Sequence, residues 1–319
     1  MQRRLVATAL ALCAACAPAL AQDAWPARPV RFVVNFPAGG PLDLLARAVG
    51  DTLQRELKQP FVVENRPGAA GNIGADAVAK AAADGHTVLF TIDSTSTVNP
   101  HIYQGMPFKP ADLQPLVIMG SSGLLVGVHP SNGFKTLADL VAAGKTRGVT
   151  FSSAGNGSPG HLAAEMATQA TGIRITHVPY KGNAPAVQAV LSGEVTGGVL
   201  ATPGMLPHVK AGKMTALAVT SSRRSTLAPE VPTVREAGMP QLEQEVLYLA
   251  MVPAATPAPV AQAIQNAIEG ALARQEIRSR LGSLDMHHEG TAGTAAARRL
   301  ANLSERYGQV IRATGMKVE

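Results

Sequence analysis

Short apolar runs and longer amphipathic runs alternate along almost the whole chain. Residues 30–36 read as a buried strand and residues 41–58 as a helix. The strand "FVVEN", a helix over about residues 72–83 and the strand "TVLFTI" follow in the same rhythm. This alternation predicts an α/β protein with mostly parallel sheets.

A second α/β set begins at "GLLVGVHP". It continues with the helix "TLADLVAAGK", the strand "VTFSSAG", the helix "HLAAEMATQATG", the strand "ITHVPY", the helix "APAVQAVLSG" and the strands "VTGGVLA" and "MTALAVTS". A loop rich in Pro, Ser and Arg, residues 221–233, leads to "LYLAMVPAATPAPV". The rest is predicted to be helical, with Thr256 or Pro257 opening one helix and Thr291 capping the last.

The second set lies between two extended segments, residues 122–129 and 246–253. An inserted α/β domain joined to its host by two strands is a natural hinge. The predicted first domain is therefore discontinuous, residues 22–124 with 248–319, and the predicted inserted domain spans residues 125–247.

The amino terminus has the pattern of a secretory signal peptide. Arg3 and Arg4 precede an apolar run, and Ala19-Leu20-Ala21 is an A-x-A cleavage pattern, so residues 1–21 are predicted to be removed near Ala21. Leu12 before Cys13 does not fit a lipoprotein. No later segment approaches the roughly 18 uninterrupted apolar residues of a membrane span, so we expect a mature protein in a bacterial periplasm.

Composition narrows the functional classes. Both cysteines, Cys13 and Cys16, lie in the predicted signal peptide, which excludes disulfides and thiolate chemistry from the mature chain. Loss of Arg3 and Arg4 lowers the formal charge from +6 to +4, and the remaining basic residues are scattered. Only 4% of the chain is aromatic, so nucleic-acid binding is not expected.

One stretch, "FPAGGPLDLLAR", resembles a phosphate-binding turn without its lysine and hydroxyl. Gly39 and Gly40 allow a ligand to approach the backbone, Pro41 suits the first helical position, and the first helical N–H groups have no intrahelical partners. A singly charged carboxylate suits such a site better than a triphosphate. The alternative is an ordinary tight turn.

The stretch "SSAGNGSPGHLAAE" repeats this design in the inserted domain. Gly155 and Gly157 follow a strand, Ser158 is placed as an N-cap and Pro159 as the first helical residue. Two helix N-termini, one per domain, would face each other across a cleft and attract an anion.

Seven spaced blocks together resemble the Bug family, the solute receptors of tripartite tricarboxylate transporters. They are "WPARPVRFVVNFPAGGPLDLLAR", "VVENRPGAAGNIGADAVAKAAADGHTVLF", "FSSAGNGSPGHLAAE", "HVPYKGNAPAVQAVLSGEV", "AGKMTALAVTSSRR", "APEVPTVREAGMP" and "VPAATPAPV". The resemblance covers nearly all of the predicted mature chain, in the family's order.

The resemblance implies a type II periplasmic-binding-protein fold that closes on a small organic acid and delivers it to membrane transporter subunits. In the family the two glycine loops grip one carboxylate, partly through ordered water. The matching residues here are Pro37, Ala38, Gly39, Gly40, Asp43, Ser153, Gly155, Gly157, Ser158 and His161. We expect a monomer without cofactor or metal. A sensory receptor that presents the closed form to a sensor-kinase ectodomain is the alternative.

The chain departs from the family at four positions: Leu247, where members often have an aromatic residue, His86 and Phe151, where they have Tyr, and Thr196, where they have Asp. Cleft chemistry could therefore differ from that of the acidic-ligand receptors, and the ligand is not carried over from them.

Other polar residues follow predicted strands at the end where open α/β sheets bind ligands. Ser94, Thr95 and Thr97 in "TIDSTSTVNP", and Thr202 after "VTGGVLA", are candidate contacts for the distal part of a ligand. For residues 91–100 the alternative is a plain solvated loop. For Asp43 the alternative is stabilisation of its helix start. For His161 it is a bond to the loop backbone.

An enzyme would need a nucleophile, and Ser158 with nearby His161 is the strongest candidate. The nucleophile-elbow motif G-x-S-x-G fails because Asn156 stands at its first glycine. His287-His288-Glu289 resembles a metal cluster, but adjacent histidines rarely reach one ion, so no metal site is expected.

Overall fold

The computed structural model describes residues 25–317. The predicted signal peptide and its cleavage site therefore lie outside the described residues. In chain order the strands are β1 (Val30–Val34), β2 (Phe61–Asn65), β3 (Thr87–Ile92), β4 (Leu113–Ser122), β5 (Leu124–Val128), β6 (Val149–Ser153), β7 (Ile175–Pro179), β8 (Gly197–Ala201), β9 (Thr215–Val219), β10 (Val246–Pro253) and β11 (His287–Ala292).

The α-helices alternate with these strands, and four short 3-10 turns supplement them. In chain order the α-helices are α1 (Pro41–Leu57), α2 (Asn72–Ala79), α3 (Ser94–Thr97), α4 (Asn99–Ile102), α5 (Leu137–Arg147), α6 (Pro159–Thr171), α7 (Asn183–Leu191), α8 (Thr202–Lys210), α9 (Ala258–Ala273), α10 (Gln275–Ser283) and α11 (Gly293–Thr314). Within residues 25–317, none of these helices is long and apolar enough to cross a membrane.

Two sheets organise the chain. The first has six strands in the order β11-β4-β10-β3-β1-β2, and the second has five in the order β7-β6-β8-β5-β9. β1, β2 and β3 run parallel, as do β6, β7 and β8. β10 in the first sheet and β5 in the second lie antiparallel to both of their neighbours. Each of these two strands follows a segment in which the chain passes from one sheet to the other. This α/β arrangement of two sheets confirms the predicted fold class.

The chain passes between the sheets twice, and Thr220 joins the two crossings. The first crossing is the single residue Gly123, where an added Cβ would lie 2.3 Å from Ser221 Oγ, so only glycine fits. Thr220 Oγ1 accepts from the Leu124 N–H at 2.9 Å and donates to the Gln244 carbonyl at 2.8 Å. Both crossings are therefore held side by side, next to the carboxyl ends of the parallel strands.

Apolar side chains on both faces of the first sheet form its core. Phe32 packs on Phe90 with ring centroids 4.5 Å apart and on Phe61 at 5.2 Å. α1 and α9 cover this face, while α2 and α11 cover the other. The burial of β1 on both faces explains why it reads as a continuous apolar run.

Most predicted elements are present, with five differences, one of which is helix α8, absent from the prediction between β8 and β9. The prediction of continuous helix after residue 253 is wrong at β11, a polar edge strand without apolar alternation, and Thr291 lies inside it, so that Ala292 is the N-cap of α11. β4 was not predicted, because its apolar run fits strand and helix equally. The predicted loop after β3 contains two short helices, α3 and α4. α2 ends at Ala79, four residues early.

Candidate functional site

The first glycine loop joins β1 to α1 at the carboxyl edge of the first sheet. Gly39 has φ +80°, and a Cβ added there would meet no atom within 4 Å. Gly40 is the N-cap and has no side chain to occupy the helix start, and Pro41 is the first helical residue as predicted. Pro37 and Ala38 are exposed. The loop therefore offers open backbone and the N-terminus of a helix to an incoming anion.

Asp43 holds the backbone of this loop in place through a hydrogen bond. Its carboxylate accepts from the Gly39 N–H at 2.9 Å and from Asn65 Nδ2 at 3.0 Å, and it pairs with Arg47 at 3.0 Å. Burial raises the pKa of Asp43, but the bonds from Arg47, Gly39 and Asn65 outweigh it, so the net pKa is lowered. The side chain is 2% exposed. Asp43 positions the loop, which matches the alternative of a stabilised helix start.

The second glycine loop joins β6 to α6 at the carboxyl edge of the second sheet. Gly155 and Gly157 have φ of +126° and +75°, in the region that favours glycine. Ser158 is the N-cap of α6, and its Oγ accepts from the His161 N–H at 3.4 Å. An added Cβ at Gly160 would lie 2.2 Å from the Val199 carbonyl, so α6 begins directly against β8. The predicted cap and first helical residue are confirmed.

A stacked histidine pair supports the second loop. His161 lies on His177 with centroids 3.7 Å apart and planes 8° from parallel. His161 Nδ1 accepts from the Gly157 N–H at 3.3 Å, which leaves the proton on Nε2, 3.5 Å from a Glu165 oxygen. His177 Nε2 is 2.6 Å from Ser153 Oγ. Ser153 and His161 thus hold the loop from inside, and His161 makes the predicted alternative, a backbone bond.

Burial and the neighbouring imidazole keep His177 neutral. Desolvation is the larger cause and the charge of His161 the second, and together they lower the pKa of His177 to about 4. Two stacked rings at this distance cannot both carry a proton without strong repulsion. At neutral pH the His177 imidazole beside the loop is therefore uncharged.

The second glycine loop lies against residues near the carboxyl edge of the first sheet. A Cβ added at Gly157 would lie 2.7 Å from Ile102 Cδ1, 3.5 Å from Asn99 Oδ1 and 3.6 Å from Ala70 Cβ, all in segments that follow strands of the first sheet. Helix α6 also packs against α11. The second loop is therefore seated on residues that follow β2 and β3 of the first sheet.

The loop that receives Gly157 has an unusual backbone. Four consecutive residues, Gly68 to Gly71, have positive φ, and the two alanines among them have φ of +47° and +50°. Asn35 Nδ2 donates to the Gly71 carbonyl at 3.0 Å, and Asn99 Nδ2 donates to the Ala70 carbonyl at 3.0 Å. Strained backbone of this kind persists only where surrounding contacts determine it and is frequent at binding sites.

The predicted hydroxyl residues differ in their hydrogen bonds. Thr95 Oγ1 contacts Thr91 and Asn35, and Thr97 Oγ1 donates to the Asp93 carbonyl at 2.9 Å, so both brace the segment after β3. Ser94 is buried there. Thr202 opens α8, and its buried Oγ1 has no hydrogen-bond partner within the described part of the chain.

Sequence reasoning missed three asparagines, Asn35, Asn65 and Asn99. Each follows or ends a strand of the first sheet or opens a short helix, and each fixes a loop carbonyl or the Asp43 carboxylate. The signal available was their place beside strand ends, where open α/β sheets bind ligands. Their partners lie about 20–30 residues away or more, which no local pattern shows.

The four departures from the family pattern fall in two kinds of place, the amino edges of the sheets and the cores. His86 and Thr196 immediately precede β3 and β8, at the amino edges of their sheets. Phe151 and Leu247 are 2% and 0% exposed and pack in the cores. Those positions do not line the region where Gly157 meets the first domain.

Hydrolase chemistry has little support in this geometry. Ser158 Oγ serves as the cap, and both ring nitrogens of His161 have other partners. Ser153 has a histidine neighbour but is 1% exposed. Among residues 25–317, no group of three or more His, Cys, Asp or Glu side chains is placed to hold a metal ion.

An open depression of about 550 Å³ lies at another part of the second sheet. His129, Pro130, Gln188, Leu191, His208 and Lys213 line it. His129 follows the carboxyl end of β5, where Val128 pairs with the first residue of β8. This is the opposite edge of the second sheet from the glycine loop, so the depression is not part of the cleft.

The chain is similar in sequence and structure to several known proteins. The model of the tripartite tricarboxylate transporter family receptor matches residues 45–316. Protein BugT of Bordetella pertussis is 35% identical over 301 residues, covering 93% of this chain and 92% of BugT. An R. palustris protein solved with adipate has a TM-score of 0.84 and 30% identity, covering 92% of this chain and 99% of its own. MatC from Rhodopseudomonas palustris, with bound malate, has a TM-score of 0.80 and 27% identity, covering 90% of this chain and 100% of its own.

Proposed function

Because the chain belongs to the tripartite tricarboxylate transporter receptor family, we propose that it is a periplasmic solute-binding protein. It captures a small organic acid by closing its cleft and delivers the acid to the membrane subunits of a tripartite transporter. The carboxylate class is supported by the adipate and malate held by two relatives.

One observation carries the proposal most directly. Two glycine loops, each opening a helix, lie at the carboxyl edges of two sheets, and the second loop is seated on the first domain through Gly157. Each helix N-terminus offers about 0.3–1 kcal/mol to a nearby anion before hydrogen bonds are counted. A carboxylate between them would therefore favour the closed state.

The binding cycle follows from this arrangement. In the open form the Pro37–Gly40 loop is exposed, and a carboxylate docks there with residual water. Rotation about Gly123 and the segment from Thr220 to Gln244 then brings the Gly155–Ser158 loop onto the acid. The ligand shifts the equilibrium only through its greater affinity for the closed state.

The domain division remains part of the proposal. Residues 22–124 with 248–319 would form one jaw and residues 125–247 the other, with the mature protein a monomer. The single-residue crossing at Gly123 supports a boundary at this point, since the strands on its two sides belong to different sheets.

A thermal-shift screen tests the function. The chain from residue 22, refolded to remove carried-over ligand, is heated with mono-, di- and tricarboxylates, with aromatic acids, and with neutral amides as controls. A ligand at 100 times its Kd should add about 2.7 kcal/mol to stability, a rise of several degrees for a protein of this size.

A rise confined to acids supports carboxylate capture, and a rise for the amides with none for the acids contradicts it. Transport is tested separately by pull-down of the membrane subunits with and without the identified acid. Retention only with the acid is expected, because only the closed form presents both domains in the correct relative position.

A further inference from the structure

The side-chain amide oxygen of Asn99 accepts no hydrogen bond from any residue that the structure describes. The side chain is completely buried, and its Nδ2 donates to the Ala70 carbonyl at 3.0 Å and to Asn72 Oδ1 at 2.7 Å. Since a carbonyl can only accept, this bond fixes the orientation of the amide. Oδ1 therefore points away from Ala70, and it has no hydrogen-bond partner among residues 25–317.

The unserved oxygen lies at the cleft. Asn99 Oδ1 is 3.5 Å from the Cβ position of Gly157, in the loop that closes on the ligand. The Gly157 N–H cannot serve it, because that group donates to His161 Nδ1. The other groups near Gly157, Ile102 Cδ1 and Ala70 Cβ, are apolar. Burial of an unpaired amide oxygen is costly, so a donor from outside the chain is favoured here.

Two other buried amide oxygens, Asn35 Oδ1 and Gln244 Oε1, also lack a partner among residues 25–317. Of these three oxygens, Asn99 Oδ1 is the one found among the atoms nearest the Cβ position of Gly157. The unpaired hydroxyls are less selective than an amide oxygen. Ser96 Oγ and Thr202 Oγ1 are also buried without partners among the described residues, but a hydroxyl can donate or accept and so fits any polar ligand group. An amide oxygen only accepts.

We propose that Asn99 determines specificity within the cleft, by accepting a hydrogen bond from a hydroxyl or N–H group of the bound acid. The preferred ligands are then carboxylic acids that carry such a donor, ahead of the same acids without it. This inference rests on the proposed function and adds the substrate class.

Matched acids test the preference in the wild-type chain. Isothermal titration compares lactate, propionate and pyruvate, then malate with succinate, then 2-hydroxyglutarate, glutarate and 2-oxoglutarate. The first and third sets present a donor, no further polar group or only an acceptor on one carbon skeleton, and the second set compares a donor with no further polar group. In the set that binds, we expect the hydroxy acid to bind about tenfold more tightly than the unsubstituted acid, the usual effect of pairing a buried polar group.

The variant Asn99→Leu assigns the preference to this residue. It also removes the bond to Ala70, but any change in folding or closure affects both acids of a pair, so the ratio of their Kd values isolates the oxygen. We expect that ratio to fall to about one. Asn132→Leu is the matched control, because Asn132 Nδ2 binds carbonyls of His129 and Thr196 at the opposite edge of the second sheet; its ratio should stay as in the wild type.

The outcomes separate the two proposals. If acids bind but the hydroxy acids show no advantage, or if Asn99→Leu keeps the advantage, the inference is overturned and carboxylate capture stands. If no acid of any class binds, both fall. Should Asn99→Leu not fold, Asn99→Ala, which adds no bulk beside Gly157, takes its place in the comparison of ratios.

Discussion

Replacing Gly157 with alanine should hinder closure. The added Cβ would lie 2.7 Å from Ile102 Cδ1, the end of a buried side chain, so the Ile102 side chain or the loop around residue 157 has to shift by several tenths of an ångström. Overpacking of this kind costs about 1–3 kcal/mol, and here it falls only on the closed state. Ligand affinity should therefore drop about 5- to 150-fold, as measured by titration with an acid found in the screen.

The control is Gly133→Ala, which separates the clash from backbone strain. Gly133 has φ +71°, close to the +75° of Gly157, but its added Cβ meets nothing within 4 Å. In both variants an L-residue at positive φ destabilises the fold by about 1–2 kcal/mol. Only Gly157→Ala should also lose ligand affinity. Adding Ile102→Ala to Gly157→Ala should restore part of the binding. Equal Kd values for the two glycine variants would refute this account of closure.

Three further predictions concern the loops themselves. Gly40→Val should abolish acid binding with little change in Tm, because Gly40 has φ −75° and its Cβ position is 3.4 Å from the nearest atom; normal affinity by titration would contradict the backbone site. Ser158→Ala should lower unfolding free energy in urea by about 1 kcal/mol through the lost cap and weaken binding, so unchanged affinity would argue against this loop as the second jaw. His177 should make stability fall as pH drops from 6.5 towards 4, because the unfolded imidazole takes up a proton in this range and the folded one does not; the Tm profile of His177→Gln should be flatter there, and a parallel profile would show that His177 does not titrate this way.

Local patterns predicted the elements that the loops depend on. The predictions were correct for strand β1, for helix α1 with its first residue Pro41, and for the cap Ser158 before α6. Each of these depends on a pattern or a contact that spans only a few neighbouring residues. The same local method failed at β11. Its polar sequence carries no alternation, and its pairing with β4 depends on residues about 170 positions earlier in the chain.

The amino-acid sequence by itself determined the α/β class, the two glycine turns at helix starts and the family resemblance, since each depends on residues close together or on their order. Only the tertiary structure decided that Asp43 is held by Asn65, and that Asn99 and Ile102 meet Gly157. These contacts join segments about 20–60 residues apart, and their geometry is set by how two sheets meet at Gly123 and Thr220. A pattern along the chain can show which residues are available for such a site. The distances between those residues are set only when the two sheets pack together.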